Sequence, residues 1–260
     1  MWLVFVLLYA PIIVLVVFSF NRAGDVNNYS QFSFYWYGEL FRDARAFSSL
    51  KNSLFLAVTS SLLATVIGTL AAFGIDRMRK KHLRGAVMSV TNIPMMNPDI
   101  VTGVSMMLLF VMYQGFAGKV QALPDSVFGL PTLLIAHITF NVPYVVFNVA
   151  PKLRQMDMRL YEAALDLGCN PTQAFFKVVL PELSPAILSA FLICLTYSID
   201  DFIISYFNCG TLQTLPIAIY SMTRKKVSPE INALSTIMFL VILAIILISN
   251  AWDTRRRKHR

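Results

Sequence analysis

The chain alternates long apolar runs with shorter polar stretches. Six runs stand out, at residues 1–20, 52–75, within 86–113, 130–150, 183–207 and 233–252. A helix rises about 1.5 Å per residue, so a run of roughly 20 apolar residues crosses the hydrocarbon layer of a membrane. The pattern therefore predicts six spanning helices. The first run has no basic region ahead of it and no small-residue cleavage site, so it reads as a span and not as a leader. The segment 21–51 is polar but carries Phe32, Phe34, Tyr35, Trp36 and Tyr37, which suits a short helix at a membrane interface.

One polar stretch has a pattern of its own. Residues 154–181 read RQMDMRLYEAALDLGCNPTQAFFKVVLP. Asp157 is placed to cap a helix with Leu160, Tyr161, Ala164 and Leu165 on one face. Gly168 suits the left-handed residue that ends it. Asn170 and Pro171 suit the cap and first position of a second helix, with Ala174, Phe175, Val178 and Val179 on its apolar face. Leu180–Pro181 is expected to stop that helix. Two short amphipathic helices joined by a glycine turn fit either a membrane surface or the groove of a partner.

Composition agrees with spans. Of the 260 residues, 57% are hydrophobic and 14% charged, and the mean hydropathy is +0.63. These values exclude a disordered chain and an ordinary soluble enzyme. Cys169, Cys194 and Cys209 are far apart, so neither an intrachain disulfide nor a zinc site is expected.

The net charge of +8 acquires meaning from its placement. One set of loops carries Arg77, Arg79, Lys80, Lys81 and Arg84, then Lys152, Arg154, Arg159 and Lys177, then Arg255, Arg256, Arg257, Lys258 and Arg260. These are fourteen of the 22 basic residues, and they mark that side as cytoplasmic, with both termini inside. Arg224, Lys225 and Lys226 run against the rule. The basic tail is a topological anchor, and no nucleic-acid partner is expected.

Three carboxylates lie in apolar runs: Asp99, just after Pro94 and Pro98, and the pair Asp200 and Asp201. An ionised Asp at the centre of a span costs about 2.5–3.5 kcal/mol, so such groups face a bundle interior or a water-filled path. Asp99 also suits the cap of a helix broken by the prolines. Adjacent helical residues point about 100° apart, so only one of Asp200 and Asp201 need face a path. Acids of this kind suit an organic cation, and Tyr197, Phe202, Tyr206 and Trp36 are candidate aromatic faces for it. For any single aromatic, packing is the more common role. His137 and Asn141 are one turn apart and are expected to hydrogen-bond within or between helices. His82, His137 and His259 are dispersed, and no HExxH pair or nucleophile with its base is present. Gly118–Lys119 lacks the rest of a P-loop. The chain reads as neither an enzyme nor an ATPase.

Glu162-Ala163-Ala164, then Gly168, then Val178-x-Leu180-Pro181 resembles the EAA motif of ABC-importer permeases, with Val178 where that family has Ile. Residues 97–101 (NPDIV), 137–140 (HITF), 197–201 (YSIDD), 219–222 (IYSM) and 227–233 (VSPEINA) are similar to the spermidine/putrescine permeases of that family. The resemblance covers nearly the whole chain. It implies an all-α, six-span, type I importer (MetI-like) fold. Residues 1–50 would be the first span and external segment, 51–252 the core with a coupling loop at 152–182, and 253–260 the cytoplasmic tail. Glu162, Ala163, Ala164, Gly168, Leu180 and Pro181 would engage an ATPase, and Asp99, Asp200, Asp201, Tyr197, Ser198 and Trp36 would line a polyamine path. The implied partners are a second permease subunit, two ATPase subunits and an extracytoplasmic polyamine-binding protein, in a bacterial inner membrane. No cofactor is expected in this chain, with ATP and Mg on the ATPase. Uptake of another small cationic or polar solute, or a cation channel, are the competing functions. A channel has no need of the paired amphipathic helices.

Overall fold

The computed structural model describes residues 2–23, 29–117, 128–225 and 230–258. Gly118, Lys119, Lys226, Val227, Ser228, Pro229, His259 and Arg260, cited above, lie outside the described residues. Regular structure among the described residues is helical, apart from one isolated antiparallel bridge between Asn21 and Phe32. In chain order the helices are α1 (Trp2–Ser19), α2 (Tyr35–Arg42), α3 (Ala44–Asp76), α4 (Lys81–Met96), α5 (Asp99–Ala117), α6 (Leu130–Gln155), α7 (Arg159–Asp166), α8 (Pro171–Ala174), α9 (Leu180–Asp200), α10 (Ile203–Asn208), α11 (Leu215–Lys225) and α12 (Glu230–Lys258). Five helical stretches are long and apolar enough to cross a membrane: α3, Asp99–Phe116 of α5, α6, Pro171–Asp200, and Glu230–Leu247 of α12. The sixth expected span is α1, whose apolar stretch Val4–Ser19 is shorter than these.

Two apolar runs are broken: the one within 86–113 at the prolines, where the sequence allows a break, and the run 183–207, where a single span was expected. The run within 86–113 is two helices, α4 and α5, parted at Asn97–Pro98. Pro98 has no N–H and disfavours a helical residue before it, and Asn97 is accordingly extended (φ −75°, ψ 142°). Asp99 therefore opens a span instead of lying in the middle of one. The run 183–207 likewise ends as a helix at Asp200. Asp201 turns extended (ψ 117°), and α10 begins at Ile203.

Pro181 does the opposite of what was expected. The helix does not stop there. It widens into a π turn over Phe175–Val179, with the Leu180 N–H bonded to the Phe175 carbonyl, and continues as α9. A wide turn accommodates a ring that an ordinary turn would clash with, so Pro171–Asp200 is one 30-residue helical rod.

The chain forms two compact units. In the first, drawn from Met1–Phe55 and Thr211–Arg260, α12 packs against α1, α2 and α11. Leu40, Ala46, Leu215 and Leu234 form its buried cluster. The Ser53 hydroxyl accepts the Leu215 N–H at 2.7 Å. The aromatic segment folds here: Phe20 stacks on Phe32 with centroids 5.0 Å apart, and the Trp36 indole donates to the Asn21 carbonyl at 2.8 Å.

In the second unit, Leu56–Gly210, α6 and α9 form the principal helix pair, and α10 packs on α5 and α6. Val145, Val146, Val149 and Leu153 of α6 meet Val179, Leu183, Ala190 and Cys194 in one buried cluster. On α3, Ala57, Ser60, Ser61, Ala64, Gly68 and Ala72 are buried. They repeat at three- and four-residue spacing, so between residues 57 and 72 one face of α3 carries small side chains. Small residues let helices approach closely where no hydrophobic drive separates protein from lipid. Gly68 is the tightest point. A β-carbon built there would lie 2.5 Å from the Val145 Cβ and 3.1 Å from the Val142 carbonyl oxygen. Gly68→Ala is expected to destabilise the protein by about 1–3 kcal/mol, read as a lower thermal midpoint in detergent. Adding Val145→Ala should not recover that loss, because alanine keeps the Cβ that makes the closest contact.

Candidate functional site

A buried polar network joins four helical segments of the second unit. Its centre is His137 on α6, whose side chain is 1% exposed. Its Nδ1 lies 2.6 Å from the Ser198 hydroxyl of α9, and its Nε2 lies 3.1 Å from the Ser205 hydroxyl of α10. Nε2 is also 3.4 Å from a carboxylate oxygen of Asp201, itself only 8% exposed. Ser198 shares a further 2.9 Å hydrogen bond with Ser60 on α3. Asp201 sits in the break between α9 and α10 and supplies what the break removes. Its two oxygens accept the N–H groups of Ile204 (3.2 Å) and Ser205 (2.7 Å), as an N-cap does. Just below, the Asn208 amide donates to the Gly103 carbonyl at 3.2 Å, and the Thr132 hydroxyl donates to the Asn208 carbonyl at 3.1 Å. The break is held on every side by side chains.

This geometry separates the two adjacent acids. Asp201 is turned inward and engaged, whereas Asp200 is exposed at the end of α9. Asp99 is exposed in the first turn of α5, where the helix dipole favours a carboxylate. Tyr197, one residue before Ser198, belongs to a different surface. Its ring lies 4.8 Å from Tyr144 and 6.3 Å from Phe140, and those two rings are 5.2 Å apart. The structure thus adds Tyr144 and Phe140 to the candidate path. Their i, i+4 spacing on α6 was visible in the sequence, but nothing there linked it to α9. Ser198 faces the buried network, and Trp36 belongs to the first unit. Asn141 does not make the hydrogen bond expected of it. Its amide is fully buried with no partner among the described residues, because α9 presents the Cys194 thiol at this level, and that donates to the Asn141 backbone carbonyl at 3.6 Å.

The segment 154–181 folds as two short helices. The Asp157 carboxylate accepts the Arg159 N–H at 3.0 Å at the start of α7. Tyr161 and Ala164 are buried and Leu165 is half-buried, but Leu160 is 54% exposed. Leu160 lies 100° round the helix from Tyr161, on the side away from Leu165, so it falls off the inner face. Gly168 adopts φ +87° and ends α7 with the paired bonds of a Schellman turn, from Gly168 N–H to the Leu165 carbonyl and from Cys169 N–H to the Ala164 carbonyl. Asn170 and Gln173 then cap each other's N–H groups at 2.8 and 3.1 Å, ahead of Pro171. Glu162, Ala163 and Gly168 face outward, Pro181 is exposed and Leu180 is half-buried. Leu167 and Phe176 are 86% and 58% exposed and, with Leu160, leave an apolar outer side.

A helix break capped by a buried polar network, and an amphipathic helix pair between two long apolar helices, suit a membrane transport subunit. The family described as "Binding-protein-dependent transport system inner membrane component" matches residues 64–257, and the chain belongs to it. The putrescine transport system permease protein PotI of Escherichia coli (strain K12) is 37% identical over 235 residues, which are 90% of this chain and 82% of that protein. The spermidine/putrescine transport system permease protein PotC of Haemophilus influenzae is 36% identical over 260 residues, covering 100% of this chain and 96% of that one. Among solved structures, a bacterial ABC transporter involved in the import of the acidic polysaccharide alginate matches with TM-score 0.76 at 18% identity, over 98% of this chain and 96% of that chain. The MetNI methionine ABC transporter in an inward-facing conformation matches with TM-score 0.61 at 19% identity, over 84% and 96%. The fold is that of an ABC-importer permease, as the sequence motif implied, and the chain is a transport subunit and not an enzyme.

Replacing His137 by Ala would leave Ser198, Ser205 and Asp201 without their common partner. The expected cost is about 1–3 kcal/mol, seen as a lower thermal midpoint of the purified protein. His137→Gln, which keeps a donor and an acceptor, should cost less.

Proposed function

We propose that this chain is one of two homologous permease subunits of an ATP-driven importer that carries polyamines into the cytoplasm. Two ATPase subunits would dock beneath it, and an extracytoplasmic binding protein would deliver spermidine or putrescine above. ATP and its Mg would be held by the ATPase subunits, and this chain would hold no cofactor. The basic loops support an inner-membrane orientation with both termini cytoplasmic.

The observation that carries the substrate reading is the cluster of the Phe140, Tyr144 and Tyr197 rings on α6 and α9, with Asp200 exposed three residues beyond Tyr197 and Asp99 exposed at the start of α5. A polyamine is a flexible chain of ammonium groups separated by short apolar spacers. Carboxylates offset its charges, and aromatic faces hold an ammonium by about 0.5–2 kcal/mol each. The names of the relatives, identical at about one residue in three over most of the chain, point the same way.

For coupling, the apolar outer side of Leu160, Leu167 and Phe176 suits a groove in an ATPase subunit. Glu162, Ala163 and Gly168 are exposed beside that side, Ala164 is buried behind them, and Leu180 and Pro181 carry the chain into α9. ATP binding would draw the ATPase subunits together and displace α7 and α8. Because α7 follows α6 and α8 continues into α9, the displacement would tilt both spans toward an outward-open state. Hydrolysis would reset the pair. In energetic terms, ATP binds the two states of the complex with different affinity, and this difference drives the change of access.

Uptake of labelled spermidine by cells carrying the assembled complex tests the path. Asp99→Asn and Asp200→Asn should each lower uptake about fivefold or more, with normal amounts of complex. Asp201→Asn should instead lower the amount of complex, because its carboxylate serves the fold. Wild-type uptake in both of the first two variants would rule out a carboxylate path.

A further inference from the structure

Phe73 is in the last turn of α3 and Arg77, four residues on, immediately follows the helix; both lie outside the sequence motif. The Arg77 guanidinium carbon is 5.1 Å from the centre of the Phe73 ring and 4.1 Å from that of Tyr161. Phe73 in turn meets Phe175 edge-on, with centroids 4.8 Å apart at 62°. Tyr161 is on α7, immediately before Glu162, and Phe175 opens the π turn that joins α8 to α9. Four side chains thus form one continuous stack across three segments. Ala72 and Ile75 of α3 lie beneath it, in the same buried cluster as Ala164 and Ala174.

The chain itself ties α7 to α6 and α8 to α9, so those spans must respond when the short helices move. No such tie reaches α3. A displacement of α7 or α8 passes to α3 through side-chain contact alone. We propose that the Phe73–Arg77–Tyr161–Phe175 stack is that contact, and that Arg77 is a positioning residue for energy coupling. The residue type fits the task. A guanidinium is flat, keeps its charge and can lie against two rings, whereas an ammonium is a point charge that serves one face well. The neighbouring Arg79, Lys80 and Lys81 already supply positive charge to this loop, so charge alone does not require Arg at 77.

This inference rests on the reading that α7 and α8 dock on an ATPase. The test is the ratio of labelled spermidine taken up to ATP hydrolysed, in proteoliposomes holding the complete importer and its loaded binding protein. Arg77→Gln should lower this ratio about tenfold while the co-purified ATPase stays at the wild-type level. Arg77→Lys should recover part of the ratio. Tyr161→Phe, which keeps the ring, should leave it unchanged, and Tyr161→Leu should reproduce the loss. The double variant Arg77→Gln/Tyr161→Leu should be no worse than either single one, as expected of two groups acting through one contact. A purely structural role would reduce the amount of complex and not the ratio. A wild-type ratio in Arg77→Gln, or losses that multiply in the double variant, would overturn the proposal. If Arg77→Gln fails to assemble, equal ratios for Tyr161→Phe and Tyr161→Leu would overturn it. A wild-type chain that retains no ATPase would instead defeat the importer reading itself.

Discussion

In hydrocarbon, a backbone N–H or carbonyl that leaves its helix finds no water to replace the lost bond. Every interruption of a spanning helix must therefore be repaired by the protein. The described chain has two such interruptions beside apolar spans, at Asn97–Pro98 and at Asp201–Phe202. Both carry carboxylates. At the second, Asp201 caps the freed N–H groups of Ile204 and Ser205, and His137, Ser198, Ser205 and Ser60 hold the carboxylate and the adjoining helices in register. At this break, polar side chains gather where the backbone demands them.

That repair separates the two adjacent acids. With Asp201 committed to the fold, its neighbour Asp200 is left at the outer surface of the helix end, and Asp99 opens α5 in the same exposed state. A transporter needs charges that are near the path but not locked into a strong pair, because a tightly held cation would not leave. In the proposed path, two exposed acids would meet that need better than one deeply buried acid. The buried acid instead fixes where the others stand.

The cytoplasmic segment follows a related logic. Its helices are too short to be stable alone, and they hold together through a Schellman turn at Gly168, a capping box at Asn170 and burial of Tyr161, Ala164, Ala174 and Phe175 against α3, α6 and α9. Their inner side is thus rigidly attached to the spans while the outer side offers Leu160, Leu167 and Phe176. A rigid attachment is what lets a force applied outside reach the membrane. The Arg77 stack extends the attachment to a helix that the chain does not join directly.

The sequence by itself determined the all-helical membrane class, the order of the apolar runs, and the capped helix–glycine–helix segment. These are local properties: apolar run length, cap residues and the left-handed demand of Gly168 all act within a few residues. It also marked the acids, because charge in an apolar run is conspicuous wherever it falls. It did not decide which of Asp200 and Asp201 faces outward, since that depends on His137, 64 positions before Asp201. Nor did it reveal that Pro181 would be absorbed by a π turn, that Leu160 would face away, or that Asn141 would be buried without a partner. Each of these rests on what a neighbouring helix presents at the same level. Tertiary packing alone decided that Tyr144 stands against Tyr197 and Arg77 against Tyr161, because a side chain finds its partner across a helix pair by the rotation of both helices, and sequence spacing fixes only one of them.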